Sequence, residues 1–174
     1  MTLAARCRMI TALILDVDGV LTNGDIVYTA DGQEIKSFHV RDGSGIKVWQ
    51  KAGKRVGLLS GRTSAVTRLR AKELGIDAVE QGSMEKGPGL HRLLQQWNVE
   101  ASLVAYVGDD IVDVPIMRQV GLAIAPADGC LEARQTAHLV TRKSGGRGAV
   151  REAIEWMLHS QNLWLTGQLE ERAI

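Results

Sequence analysis

The chain has 174 residues, 45% of them apolar and 24% charged, with a formal net charge of +1. That is the balance of an ordinary globular protein long enough to bury a full core. It excludes a membrane-spanning chain, since no run approaches the ~18 apolar residues that a bilayer span needs, and Cys7 and Cys130 match no metal or redox spacing. The expected compartment is the cytoplasm, and the expected organisation is one domain over residues 1–174.

In chain order, Arg6 and Arg8 precede the apolar run Met9–Leu15, faintly like a secretory signal. The run ends in two acids without a small-residue cleavage site, so it reads as the first strand. Apolar runs then alternate with amphipathic segments. Strands are expected at Ala12–Asp16, Arg55–Ser60, Asp77–Glu80, Leu103–Val107, Leu122–Ala125 and His138–Thr141. Helices are expected at Gly43–Lys51, Ala65–Leu74, Lys86–Trp97, Val112–Val120, Leu131–Ala137 and Ala149–Ser160. This rhythm predicts an α/β fold, a doubly wound and mostly parallel sheet covered by helices. Between the first strand and the first helix, Asp25–Tyr28 and Glu34–Phe38 flank Asp31-Gly32, a hairpin signal. Such an insertion (about residues 20–40) is placed to form a flap or to pair with another subunit. The tail, about residues 161–174, is weakly periodic.

Chemistry concentrates at the expected strand ends. Asp16 and Asp18 close the first strand, and an extended backbone turns residues i and i+2 to the same side. An EF-hand loop counted from Asp16 fails, because its sixth and twelfth places hold Leu21 and Val27 instead of Gly and Glu. Ser60-Gly61-Arg62 ends the second strand with a hydroxyl, which serves equally as a helix N-cap or a phosphate ligand. Lys86 opens a helix and by itself is an ordinary surface lysine. Gly108-Asp109-Asp110-Ile111-Val112-Asp113 puts three acids within five residues after an apolar strand. Unpaired, they repel one another, so a hard cation such as Mg²⁺ is the economical occupant. From Arg41 to Lys72 there are nine basic residues and one acid, Asp42. With Trp49 the only aromatic there, a small anion fits better than nucleic acid.

These motifs, in this order, resemble the haloacid dehalogenase superfamily of phosphatases, over roughly Ile10 to Ser160. Phe38–Ile46, Gly61-Arg62, Gln81-Gly82 and Gly145–Glu152 further resemble its family of 3-deoxy-D-manno-octulosonate 8-phosphate (KDO 8-phosphate) phosphatases, small members without a large cap domain. The resemblance implies a Rossmann-like fold and Mg²⁺-dependent hydrolysis of KDO 8-phosphate in lipopolysaccharide sugar biosynthesis. It implies Asp16 as nucleophile, passing through an aspartyl phosphate, and Asp18 as acid and base. Asp16, Asp18 (through its backbone carbonyl) and Asp109 would hold the metal, with Asp110 and Asp113 behind them. Ser60 and Lys86 would bind the transferring group. His39, Val40, Arg41, Asp42, Gly43, Lys47, Gly61, Arg62 and Arg70 would contact the sugar acid, Arg62 and Arg70 its carboxylate. In that family hairpins assemble a homotetramer whose subunits close each other's sites. His39 stands where Asn is common and Lys47 where Arg is, which leaves open a nine-carbon sugar-acid phosphate. A signalling receiver domain is the distant alternative, although receivers carry their phosphorylated Asp on a middle strand.

Overall fold

The structure is a computed structural model that describes residues 1–164. Six strands form a parallel sheet in the order β5-β4-β1-β6-β7-β8. They are β1 (Ala12–Leu15), β4 (Arg55–Ser60), β5 (Ala78–Gln81), β6 (Val104–Val107), β7 (Leu122–Ala125) and β8 (Leu139–Val140). The helices are α1 (Leu3–Met9), α2 (Val40–Lys51), α3 (Ala65–Leu74), α4 (Lys86–Trp97), α5 (Val114–Met117), α6 (Leu131–Thr136) and α7 (Ala149–Ser160). The predicted architecture is the one observed, and no large cap domain is inserted among the described residues.

Strict alternation along the strands builds two cores. Leu13, Leu15, Ala105, Val107, Leu122 and Ile124 face one cluster with Ile46 and Trp49 of α2 and Ile154 and Met157 of α7. Ala12, Ile14, Val104, Tyr106, Ala123 and Ala125 face the other, with Leu90 and Leu93 of α4, Ile116 and Met117 of α5, and Ala133 of α6. A sheet buried on both faces needs near-continuous apolar strands, and burying each large aliphatic side chain is worth about 1.5–3 kcal/mol.

The topology decides where the site lies. The chain leaves β1 for β4 on one side and later returns to β6 on the other, and the crevice at such a reversal is where open α/β sheets bind ligands. Leu15 is in register with both Leu58 and Val107. The residues that follow β1 and β6 therefore emerge side by side.

Helix α2 begins earlier than expected, at Val40, β8 keeps only Leu139–Val140 of its expected span, and three elements differ more. Helix α1 was not foreseen: it is seven residues long, is capped by Thr2 and buries only Cys7, too little for a periodic signal. The hairpin exists but is short, with β2 (Val27–Tyr28) antiparallel to β3 (Glu34–Ile35). The expected helix Val112–Val120 is a 3₁₀ turn, Ile111–Asp113, followed by the single-turn α5. The Asp113 carboxylate turns back to accept from the Asp109 and Asp110 N–H groups, so the regular helix begins only beyond it. Of the weakly periodic tail, residues 165–174 lie outside the described residues.

Candidate active site

Asp16 extends β1 by one more ladder bond, its N–H donating to the Val107 carbonyl at 3.0 Å. Its side chain is buried. Lys86, at the first position of α4, reaches under the sheet edge and places Nζ 2.8 Å from Asp16 Oδ1 and 2.6 Å from Asp113 Oδ1. Tyr106 Oη donates to the same Asp113 oxygen at 2.5 Å and accepts from Lys86 at 3.2 Å. Lys86 is thus no surface lysine: burial works against its charge, but Asp16 and Asp113 outweigh that and raise its pKa. Both Asp113 oxygens are filled by protein donors, which makes it the anchor of Lys86.

Asp109 completes the cluster. One carboxylate oxygen from each of Asp16, Asp109 and Asp113 lies within 4.8 Å of the others. Burial first, then the neighbouring acids, push Asp109 up to about 8, and burial lifts Asp16 to about 6 against the pull of Lys86. Asp109 Oδ1 is buried without a hydrogen-bond partner. A hard divalent cation answers all three facts, because it neutralises crowded carboxylates and takes an oxygen the protein leaves bare. The residues present therefore fit a Mg²⁺ ion. Gly19 lets this happen: it has φ +87°, and a Cβ there would lie 2.0 Å from Asp109 Oδ2.

The Asp18 carboxylate stands outside this cluster and instead meets Lys36 and, at 3.6 Å, Arg62 Nη1. Its expected contact with the metal is through its backbone carbonyl. Ser60 is buried at the end of β4, with Oγ accepting from the Arg62 N–H at 3.3 Å. A cavity of about 240 Å³ is lined by Asp16, Asp18, Ser60, Gly61, Arg62 and Lys86, together with Asp109 and Asp110. Asp110 is exposed and caps the 3₁₀ turn through its bond from the Ile111 N–H.

The other expected sugar contacts do not line this cavity. Asp42 is buried and accepts from the Gly148 and Arg151 N–H groups, tying α2 to α7. Lys47 donates to the Leu74 carbonyl at 2.6 Å. Arg70 lies over the Phe38 ring and pairs with Glu73, and Gly43 has no side chain to obstruct it. Val40 is exposed, while His39 and Arg41 open onto a second, basic cavity beside α7. Sequence reasoning missed Glu34, Lys36 and Tyr106. Tyr106 stands within an apolar strand and Glu34 and Lys36 within one arm of a hairpin, where the two-residue spacing of the charges was the available signal.

The haloacid dehalogenase-like hydrolase family model matches residues 25–121. The chain is 42% identical over 157 residues to the KDO 8-phosphate phosphatase of Yersinia pestis, covering 90% of this chain and 84% of that protein. It is 43% identical to the Haemophilus influenzae phosphatase of the same name, covering 86% and 83%. A Moraxella catarrhalis KDO 8-phosphate phosphatase solved with magnesium, phosphate and KDO superposes with a TM-score of 0.89 at 38% identity, over 91% of each chain.

Proposed function

This chain belongs to the haloacid dehalogenase-like hydrolases and, among them, to the KDO 8-phosphate phosphatases, and from that premise we propose how its residues carry the reaction. It is a Mg²⁺-dependent phosphatase that releases inorganic phosphate from KDO 8-phosphate. The observation that carries this reading is the convergence of Asp16, Lys86 and Asp109 at the reversal between β1 and β6.

Asp16 is the nucleophile: its carboxylate oxygen attacks phosphorus in line, and the sugar alkoxide leaves as the aspartyl phosphate forms. Lys86, held by Asp113 and Tyr106, keeps Asp16 ionised and oriented and offers a fixed cation to the phosphoryl oxygens. Ser60 adds a hydroxyl donor. Asp18 protonates the departing alkoxide and then takes a proton from the water that releases phosphate. Asp16, Asp109 and the Asp18 carbonyl would hold Mg²⁺, which when bound screens charge on the phosphoryl group. Arg62 grips the substrate carboxylate.

The whole chain acts as one unit, a homotetramer in the cytoplasm. Two observations support the assembly. Val27 and Ile35, direct cross-strand partners, expose apolar surface on the hairpin's outer face. His39, Arg41 and Arg70 do not line the Asp16 cavity of their own chain, so contact with substrate would come in a neighbour's site. Among the described residues no helix is long and apolar enough to cross a membrane.

The test is phosphate release from a panel of eight- and nine-carbon keto-sugar phosphates, hexose phosphates and nucleotides, with and without chelator. Chelator-sensitive turnover that is fastest on KDO 8-phosphate is expected. Preference for a nine-carbon acid would move the substrate, and chelator-resistant activity would remove the metal.

A further inference from the structure

The hairpin reverses the usual strand pattern. Ile35 points outward, whereas Glu34 and Lys36 on either side of it turn inward toward the acidic cavity. The Lys36 side chain is only 1% exposed, although it follows a strand of just two residues. A buried lysine is costly unless its charge is answered. Here it touches Asp18 Oδ1 directly and lies 3.4 Å from Glu34 Oε1. Glu34 Oε1 also accepts from Arg62 Nη2 at 2.9 Å, and its other oxygen accepts from Ser64 Oγ. Arg62 Nη1 closes the circuit at 3.6 Å from Asp18. The four side chains form a ring of alternating sign: Asp18, Lys36, Glu34, Arg62.

One corner of the ring is incomplete. Arg62 Nη1 is buried and has no hydrogen-bond partner, because 3.6 Å is too long for one. Nη2, by contrast, is held by Glu34 and by Tyr28 Oη at 3.3 Å. Glu34 therefore occupies one edge of the guanidinium and leaves Nη1 unpaired beside Asp18, in the wall of the cavity both residues line, where an anionic group can complete it. Lys36 does the corresponding service for Asp18, fixing one carboxylate oxygen and leaving the other without a hydrogen bond on the Arg62 side of the cavity.

We infer that Glu34 and Lys36 are positioning residues for the reaction: Glu34 aims Arg62 at the substrate carboxylate, and Lys36 sets Asp18 against the leaving oxygen. Without Glu34, Arg62 is free to close on Asp18, so that one ion pair silences both the carboxylate receptor and the acid. This rests on the phosphatase reading and gives the hairpin a role inside the site of its own chain, separate from any role in assembly.

The two residues should leave different kinetic signatures. The quantity kcat/KM reports phosphoryl transfer to Asp16, the step in which the leaving group departs. A sugar alkoxide needs a proton there; p-nitrophenolate, a far weaker base, does not. Lys36→Met is expected to lower kcat/KM for KDO 8-phosphate about 100-fold, the cost of misplacing a catalytic group by about an ångström. The same variant should keep kcat/KM for p-nitrophenyl phosphate within about threefold. Glu34→Ala is expected to raise KM for the sugar-acid phosphate about tenfold, with little change in KM for the aryl ester, and Glu34→Gln, which still accepts from Arg62, should recover most of that. Equal losses on both substrates, or no loss on either, would overturn the inference. Wild-type protein that releases no phosphate from KDO 8-phosphate would instead overturn the function on which it rests.

Discussion

Asp16 shows how far a single carboxylate depends on its surroundings. It sits buried beside Asp109 and Asp113, with Lys86 as its one direct counter-charge. In Asp16→Asn the amide keeps the shape, relieves repulsion and removes the nucleophile. Turnover is expected below about a thousandth of wild type with an unchanged circular dichroism spectrum and an equal or higher melting temperature; turnover near wild type would dismiss Asp16 as nucleophile. Gly19 tests the metal from the other side. Its positive φ disfavours any side chain, and a methyl would strike the Asp109 carboxylate. Gly19→Ala should weaken Mg²⁺ binding, read by calorimetry on the folded protein, about tenfold or more. Unchanged affinity would mean that Asp109 is not a ligand.

Among the elements, β8 is a short edge strand whose pairing depends in part on a histidine. It is two residues long, and the His138 before it supplies pairing that the backbone lacks. The His138 N–H donates to the Ala123 carbonyl at 2.8 Å, and its ring Nδ1 accepts from the Ala123 N–H at 2.9 Å. That second bond requires an unprotonated Nδ1, and burial, followed by Arg6, lowers the His138 pKa from 6.5. The unfolded chain then binds the proton more readily than the folded one, so this contribution is complete above about pH 6.5 and fades as pH falls through the lower folded value. Urea midpoints at about pH 7.5 and about pH 5.5 should differ more in wild type than in His138→Leu. An identical difference would show that the ring does not titrate against the ladder.

The same scale explains what was legible in the sequence. Strands β4 and β7 and helices α3, α4 and α7 fall where periodicity put them, because each buries a face whose pattern survives in one dimension. The acids of β1 and β6 announced themselves, since clustered like charge has no packing use. Helix α1 is too short to show a period, and the turn before α5 is set by the Asp113 carboxylate returning to its own backbone, a contact that a periodic pattern does not encode. Asp42 and Lys47 are sugar contacts on the resemblance alone; what the sequence does not display is that the N–H groups at the start of α7 and the carbonyl at the end of α3 also hold them.

For the molecule as a whole, the hairpin carries an unresolved tension. A two-stranded ribbon is marginal alone, yet this one holds its charges toward the site and turns Val27 and Ile35 toward water, 45% and 49% exposed. A second copy of the same surface is the simplest cover, since closed symmetry matches a patch to itself. Val27 and Ile35 are direct cross-strand partners, so replacing them together by Val27→Lys and Ile35→Glu gives an opposed ion pair that keeps the hairpin while abolishing its apolar face. Light scattering should report four chains for wild type and fewer for this variant. If the neighbour's His39, Arg41 and Arg70 complete the site, the dissociated variant should also lose affinity for the sugar-acid phosphate while p-nitrophenyl phosphate turnover stays near wild type. A variant that remains four-chained would exclude the hairpin as the assembly surface. One that dissociates with sugar affinity intact would confine recognition to Arg62 and the residues of a single chain.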